Sequence, residues 1–172
     1  MKKSVLLALL AVICCAFAGN AQKFAMVDME YVLSNIPSYE VANNQLEQLS
    51  QRWQKEVENV AREAETMYNN YKSQMPFLTD DQKKKQEEEI VAKEKQAAEL
   101  RNKYFGPEGE LYKKRQSLMQ PIQEQVYEAV KKVAEERAYM CIFDRATSAD
   151  IIFASPRIDV SNEVLAKLGF AR

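Results

Sequence analysis

Residue types that perform catalysis are scarce in this sequence. It has no histidine, which is the commonest general base and the commonest metal ligand in proteins. Its four glycines form no phosphate-binding loop, because the GxxxxGK pattern is absent. Cys141 is the one cysteine outside the N-terminal segment, and a single thiolate cannot form a zinc site. The sequence therefore predicts a protein that is not an enzyme and that holds no metal or cofactor.

Carboxylates are numerous, but their positions favour structural roles. Most of them lie on the polar faces of predicted helices, where water surrounds them. Asp28, Asp144 and Asp150 flank predicted strands and would cluster if the strand ends meet, although roles in turns are the favoured interpretation. Cys141 lies in the apolar run 140–143, which predicts a buried thiol rather than a reactive one.

Two long charged helices supply most of the remaining surface. In the first, apolar residues recur at steps of three and four from Ala42 to Met75, which places them on one helical face. A heptad repeat in the second predicts two helices that wrap around each other as a coiled coil. Residues 39–119 are therefore predicted to form a helical hairpin arm with its tip near residues 75–79. The heptad positions are Ile90, Ala97, Tyr104, Leu111 and Leu118.

The tip carries signals for a turn between the two helices. Pro76 disfavours helix at the preceding residue, and Thr79 with Gln82 matches the capping box that begins a helix. Adaptable apolar and aromatic residues are concentrated near this turn and are the candidate contacts for a binding partner. The alternative, favoured for most of them, is packing against the returning helix. These candidates are Met67, Tyr68, Tyr71, Met75, Phe77 and Leu78.

A run of charged residues follows the tip. Lys83, Lys84 and Lys85 form a possible basic patch of the kind that anionic lipid attracts. Three glutamates follow at 87–89, and each is expected to pair with the lysine four residues before it. Because the glutamates largely cancel the lysine charge, a solvated helix face is the favoured interpretation.

Proline, glycine and serine mark further helix boundaries. Residues 105–109 place two glycines around a proline, which predicts a kink or short loop in the returning helix. Pro121 predicts a second break, with the residue before it pushed out of helical geometry. Ser38 and Ser161 are expected to cap the helices that follow them, and Gly169 is expected to end the last helix.

The remaining residues are predicted to form a small body. Short apolar runs at 24–28, 139–144 and 150–154 are predicted strands of one mostly antiparallel sheet, the last two joined as a hairpin. This body, 22–38 with 120–172, has about 70 residues, so copies of the same chain are expected to complete its core. The predicted fold class is therefore α+β and mostly α, with a coiled-coil hairpin projecting from a small sheet-containing body.

Residues 1–21 have the features of a secretion signal. Lys2 and Lys3 precede an apolar run followed by small residues, and cleavage is expected after Ala21 or Ala18. Lipidation of a leader cysteine is a disfavoured alternative. Loss of the two lysines changes the formal charge from −1 to −3 (−1 minus 2), so the exported chain lacks the positive field that nucleic-acid binding needs.

The order of these elements resembles the Skp/OmpH family of periplasmic chaperones over the whole mature chain. The insert at 105–111 resembles the version of the family found in Bacteroidetes-type bacteria. The resemblance implies a homotrimer in which strands from three chains build the body and three arms surround a cavity. The other segments that carry the likeness are 24–28, 34–37, 121–122, 129–134, 142–144 and 159–164.

The same resemblance implies an ATP-independent holdase of the periplasm that keeps unfolded outer-membrane β-barrel proteins from aggregating. Well-known members are strongly basic, whereas this mature chain is mildly acidic. Contact with membranes or lipopolysaccharide is therefore disfavoured, and capture of clients is expected to depend on apolar arm surface. The alternative function is a structural coiled-coil spacer of the cell envelope that binds no client.

Overall fold

The computed structural model describes residues 23–148 and 151–170. The predicted secretion signal lies outside these ranges. Long helices with one small sheet confirm the predicted fold class. Short 3₁₀ turns cover Met75–Phe77 and Pro156–Ile158. The strands and α-helices, in chain order, are β1 (Phe24–Val27), α1 (Met29–Ser34), α2 (Pro37–Gln74), α3 (Asp80–Phe105), α4 (Glu110–Arg137), β2 (Cys141–Asp144) and α5 (Ser161–Leu168).

The chain forms two compact units. Leu33–Val126 make up the first unit, which is called the arm below. Of the described residues, 23–32 and those from Tyr127 onward make up the second unit, which is called the body. The arm contains α2, α3 and the first half of α4, and the body contains both strands and α5.

In the arm, α2 and α3 pack against each other along narrow apolar stripes. On α3 the buried residues are Ile90 and Tyr104, which lie on the predicted heptad. The spacing of apolar residues therefore correctly predicted which side of each helix is covered. The buried residues of α2 all belong to the apolar face predicted between Ala42 and Met75, which is called the seam below. They are Ala42, Leu46, Val57, Ala64 and Tyr71.

The two helices of the hairpin begin differently. At α3, the Thr79 side chain accepts a hydrogen bond from the Gln82 amide, and the Gln82 side chain accepts one from the Thr79 amide, so the predicted capping box is confirmed. The cap predicted at Ser38 is wrong, because α2 begins at Pro37 without a capping side chain. Proline at the first helical position has no N–H group, which leaves one donor fewer to satisfy there.

The returning helix is broken at one predicted place. Helix α3 ends at Phe105 and α4 begins at Glu110, which confirms the break expected at 105–109. A Cβ atom on Gly109 would lie 2.7 Å from the Tyr104 carbonyl oxygen. The chain therefore needs glycine at this position for the loop to close so tightly.

The second predicted break is wrong, because α4 runs without interruption through Pro121. Proline removes one hydrogen bond from the helical ladder. The next turns of α4 bury Ile122 and Val126. We attribute the continuous helix to this burial, which favours the helical path over the loss of one hydrogen bond.

The sheet in the body pairs β1 with β2 in parallel, with Phe24 opposite Cys141. The antiparallel arrangement predicted from the sequence is therefore wrong. Strands β1 and β2 are connected through the whole helical hairpin, and a long crossover of this kind permits parallel pairing where a tight turn does not. The predicted strand at 150–154 is absent from its described part, 151–154. Residue 150 lies outside the described residues.

The second edge of β1 is occupied by the segment before α5. Met26 forms an isolated parallel bridge with Asp159, and the Val160 amide donates a hydrogen bond of 2.8 Å to the Met26 carbonyl. This pairing takes the place beside β1 that a third strand would need. It also brings Val160 into the core, where it is buried together with Val164 and Leu165.

Two sequence predictions about polar residues in the body are wrong. Cys141 is exposed rather than buried, because it lies on the face of β2 that also exposes Phe143. Ser161 is the first residue of α5 rather than its cap. Its amide donates to the Asp159 carboxylate at 2.9 Å, so Asp159 satisfies the first N–H group of α5. The predicted stop at Gly169 is confirmed by its left-handed backbone, φ 83°.

Candidate functional site

The turn of the arm exposes large apolar side chains. Phe77 is 87% exposed, Tyr68 is 50% exposed and Met75 is 48% exposed. The 3₁₀ turn Met75–Phe77 follows the last buried residue of α2, so Met75 and Phe77 lie beyond the apolar stripe that the two helices share. The arrangement provides apolar surface at the end of an otherwise charged hairpin, which suits weak contact with other apolar groups.

The other predicted contact residues of the tip are more covered. Met67 and Leu78 are partly buried. Tyr71 is buried, and its hydroxyl donates a hydrogen bond to Glu87 on α3. This hydrogen bond, with a smaller contribution from burial, raises the pKa of the Tyr71 hydroxyl. Tyr71 thus belongs to the packing between the helices, while Tyr68, Met75 and Phe77 are available at the surface.

The possible basic patch contains one lysine that is already paired. Lys83 Nζ lies 3.6 Å from the Asp80 carboxylate in the first turn of α3. The ion pairs expected between residues 83–85 and residues 87–89 are absent from the described part of the chain. A lysine that precedes glutamate at i,i+4 has the less favourable orientation, and Asp80 offers Lys83 a partner nearer the helix start.

The middle of the arm contains an aromatic contact that the sequence analysis missed. The rings of Trp53 on α2 and Tyr104 on α3 are stacked, with centroids 4.9 Å apart and planes at 3°. The Tyr104 hydroxyl donates a hydrogen bond of 3.0 Å to Glu56. Burial, followed by this hydrogen bond, raises the pKa of the Tyr104 hydroxyl. The sequence contained a signal for this contact, since Trp53 and Tyr104 both lie on the apolar faces of their helices.

Two clefts also lie within the arm. One, of about 250 Å³, is lined by residues of α2 and α4 that include Tyr39, Arg115 and Met119. The second, of about 410 Å³, lies between α2 and α3, and its lining includes Ala61, Ala97 and Phe105. Both clefts are open to solvent, and neither contains a constellation of groups suited to catalysis.

The acidic residues at the strand ends act in turns, as favoured from the sequence. Asp28 accepts a hydrogen bond of 2.8 Å from the Tyr31 amide, and Asp144 accepts one of 3.0 Å from the Ala146 amide. The Tyr31 amide and, to a lesser degree, the Arg145 guanidinium lower the pKa of Asp28. The third predicted member, Asp150, lies outside the described residues.

Other classes of site were searched for in the same part of the chain. Residues 23–148 and 151–170 contain no group of three or more cysteine, aspartate or glutamate side chains able to hold a metal ion. No helix within these ranges is both long enough and apolar enough to cross a membrane. The exposed apolar surface at the tip of the arm is therefore the best candidate for a functional site.

Comparison with known proteins places the chain in a family. The family model described as "Outer membrane protein (OmpH-like)" matches residues 23–168. A crystal structure of a candidate outer membrane chaperone (OmpH-like) from Caulobacter crescentus CB15 has a similar fold, with a TM-score of 0.67. The two sequences are 12% identical, and the match covers 84% of this chain and 82% of that one. A likeness at this identity concerns the fold alone. No curated protein matches the chain.

Proposed function

This chain belongs to the OmpH-like family of outer membrane proteins, and we propose that it is an ATP-independent holdase chaperone of the periplasm. Its clients are unfolded outer-membrane β-barrel proteins, which it keeps from aggregating in a cavity between helical arms. The proposal describes a binding protein and not an enzyme. The absence of histidine and of a nucleotide-binding loop from the sequence agrees with a mechanism that uses neither catalysis nor ATP.

The observation that carries this proposal is the exposed apolar surface at the tip of the arm. Phe77, Tyr68 and Met75 are available to a partner, whereas the seam between α2 and α3 is covered. Apolar contact is the interaction that an unfolded barrel protein offers, because its strands lack the lipid and the neighbouring strands that later cover them. Several weak contacts of this kind hold a client and still permit its release.

The charge of the chain supports apolar rather than electrostatic capture. Without its leader the chain has a formal charge of −3, obtained by removing Lys2 and Lys3 from the total of −1. A charge of this sign does not attract anionic lipid or lipopolysaccharide. The positive charge of the possible basic patch is opposed by the three glutamates at 87–89, and Lys83 is paired with Asp80. We therefore assign no membrane contact to residues 83–85.

We also propose that three copies of the chain associate through the body. In the body, Ile152 is 99% exposed and Phe153 is 83% exposed. The rings of Phe24 and Phe143 lie 6.2 Å apart, and both are also exposed. A small body with this much apolar surface gains stability when other copies cover it. Sedimentation or light-scattering mass of the purified protein tests the association directly.

The holdase proposal is tested by light scattering on an outer-membrane barrel protein diluted from urea into buffer with and without this protein. Replacement of the tip residues by Tyr68→Ser, Met75→Ser and Phe77→Ser together is expected to require about tenfold more protein for the same suppression. The matched control is Val41→Ser, Tyr112→Ser and Tyr127→Ser, which removes equally exposed apolar side chains elsewhere and is expected to behave like the wild type.

One result would overturn the holdase proposal, and another would overturn its assignment to the tip. If the barrel protein aggregates equally fast with and without the wild-type protein, the envelope-spacer alternative takes its place, because a spacer is indifferent to unfolded chains. If suppression is strong but the control triple variant loses as much of it as the tip variant, clients do not bind at the tip. Export is tested separately, since the N-terminal sequence of the periplasmic protein is expected to begin at Gln22 or Gly19.

A further inference from the structure

Helix α3 contributes few buried side chains to the arm. It has 26 residues, of which Ile90 and Tyr104 are buried, whereas α2 buries five side chains. Two further bonds tie α3 to α2, the Tyr71–Glu87 hydrogen bond and an ion pair of 2.7 Å between Lys93 and Glu63. Segments with few buried apolar contacts open locally at a lower free energy than the whole molecule.

Both ends of α3 are separated from the neighbouring helices. At its start, the capping box at Thr79 follows the 3₁₀ turn of the tip. At its end, the backbone leaves the helical path at Gly106, and a turn with a Gly109 to Gly106 hydrogen bond of 2.9 Å precedes α4. Helical hydrogen bonding is cooperative along one continuous ladder. Because the ladders of α3 and α4 are separate, α3 can open without unwinding α4.

Tyr104 lies one residue before the end of α3 and contacts α2 through both its ring and its hydroxyl. Its ring stacks on Trp53 at 4.9 Å, and its hydroxyl is bonded to Glu56 at 3.0 Å. A cleft of about 410 Å³ lies beside this contact, and its lining includes Ala61, Ala97 and Phe105. The short side chains of Ala61 and Ala97 contribute little dispersion attraction across this gap, so the Trp53–Tyr104 stack contributes more attraction here than the alanines do.

We propose that α3 is a strap that opens as a unit when Tyr104 leaves Trp53, and that opening uncovers the apolar stripe of α2. The uncovered residues include Val57, Val60, Ala64 and Met67. The stripe is a second, concealed surface for unfolded apolar polypeptide, in addition to the tip. The identity of this ligand rests on the proposed function, whereas the opening is a property of the protein alone and is tested without any client.

Amide hydrogen exchange of the purified protein, followed by mass spectrometry, tests the opening. In the wild type, amides of residues 84–105 are expected to exchange as one group, faster than those of residues 42–70 and 112–126. Tyr104→Ala is expected to accelerate exchange of the 84–105 group by about tenfold and to leave residues 112–126 unchanged. The matched control is Tyr127→Ala, which removes an exposed tyrosine beyond the break and is expected to change neither segment.

A conservative variant distinguishes opening of α3 from misfolding of the whole protein. Tyr104→Phe keeps the ring on Trp53 and loses the hydrogen bond to Glu56. Its exchange rate at residues 84–105 is therefore expected to lie between those of the wild type and Tyr104→Ala. Trp53 is the one tryptophan of the sequence, and its emission is expected to shift to longer wavelength as the strap opens. Equal acceleration across 42–126, or unchanged exchange at 84–105 in both Tyr104 variants, would show that α3 is not a separate strap.

The two parts of the inference fail in different ways. If residues 84–105 open as expected but an unfolded barrel protein added to Tyr104→Ala leaves the exchange of residues 57–67 unchanged, the uncovered stripe is not a client surface. If the tip triple variant no longer suppresses aggregation of the barrel protein while residues 84–105 exchange as expected, the proposed function and the strap both stand. Loss of scattering suppression in the wild type would remove the proposed function and leave the opening of α3 in place.

Discussion

In the body, side chains far apart in sequence meet at one place, whereas the arm repeats similar contacts along its length. Arg145 of the body lies 3.0 Å from the Asp28 carboxylate and 3.3 Å from the Asp159 carboxylate. Asp28 in turn donates its backbone amide to the Ser161 hydroxyl at 2.8 Å. A change at one of these positions therefore affects segments from both ends of the chain.

The arm is stabilised by contacts that each involve one turn of α2 and one turn of α3. Tyr71 with Glu87, Lys93 with Glu63, and the Trp53–Tyr104 stack follow one another along the hairpin. Each contact supports its own turn and its neighbours. We therefore expect the body to unfold as a whole and α3 of the arm to open separately from it. The predictions below test this difference, starting with the largest effect.

Leu165→Ala in the body is expected to lower the free energy of unfolding by about 3 kcal/mol. Leu165 is buried on α5, so its removal leaves a cavity in the core that the paired strands share. Urea denaturation followed by circular dichroism measures the loss. Ala166→Ser on the exposed side of α5 is the control and should cost less than about 0.5 kcal/mol. The comparison fails if hydrogen exchange accelerates in α5 but not in β1.

Ile90→Ala in the arm is expected to destabilise α3 by about 2 kcal/mol and to leave the body unchanged. Ile90 is 6% exposed at the interface with α2, whereas the adjacent Val91 is 60% exposed. Val91→Ala is therefore a matched control, expected to have little effect. Hydrogen exchange of α3 and of β1 measures the two regions in one experiment. Equal acceleration in both regions would mean that arm and body unfold together.

Thr79→Ala is expected to cost about 1 kcal/mol of local stability, because it removes the side-chain oxygen that caps α3. Ser38→Ala is the control and should cost less than about 0.5 kcal/mol, since α2 begins at Pro37 without a capping side chain. Exchange rates in the first turns of α3 and α2 report the two effects. Similar losses from both substitutions would contradict the different helix starts that the structure shows.

The two regions should respond to opposite extremes of pH, which is the smallest expected effect. The pKa of Asp28 is lowered from 3.8, so its contribution to the body is present above pH 3.8 and is lost as pH falls through the lower folded value. The pKa of Tyr104 is raised from 10.0, so its contribution to the arm is present below pH 10.0 and is lost as pH rises through the higher folded value.

Variants separate these two titrations from those of other groups. Asp28→Asn should reduce the acid sensitivity of exchange in the body, and Tyr104→Phe should reduce the alkaline sensitivity of exchange in α3. The measurement is local opening as a function of pH in each variant and in the wild type. If Tyr104→Phe leaves the alkaline response of α3 unchanged, the hydrogen bond to Glu56 contributes nothing measurable to the arm.

The sequence predicted the arm better than the body. The positions of Ile90 and Tyr104, the capping box at Thr79 and the break at 105–109 all depend on residues within a few turns of each other. At the tip, exposed and covered residues could not be separated from the sequence. Tyr68 and Tyr71 are equally plausible contacts by residue type, but Tyr71 faces Glu87 across the hairpin and Tyr68 faces solvent.

By itself, the sequence determined the long helices, their apolar faces, the start of α3 at its capping box and the lack of catalytic residue types, because these properties depend on spacing and composition. The tertiary structure decided the parallel pairing of β1 with β2, the exposure of Cys141 and the continuity of α4 through Pro121. It also decided the stack of Trp53 on Tyr104. Each of these features depends on the group, distant or neighbouring in sequence, that packs against the residue. The free energy of that packing outweighs the local preferences that a sequence pattern reports.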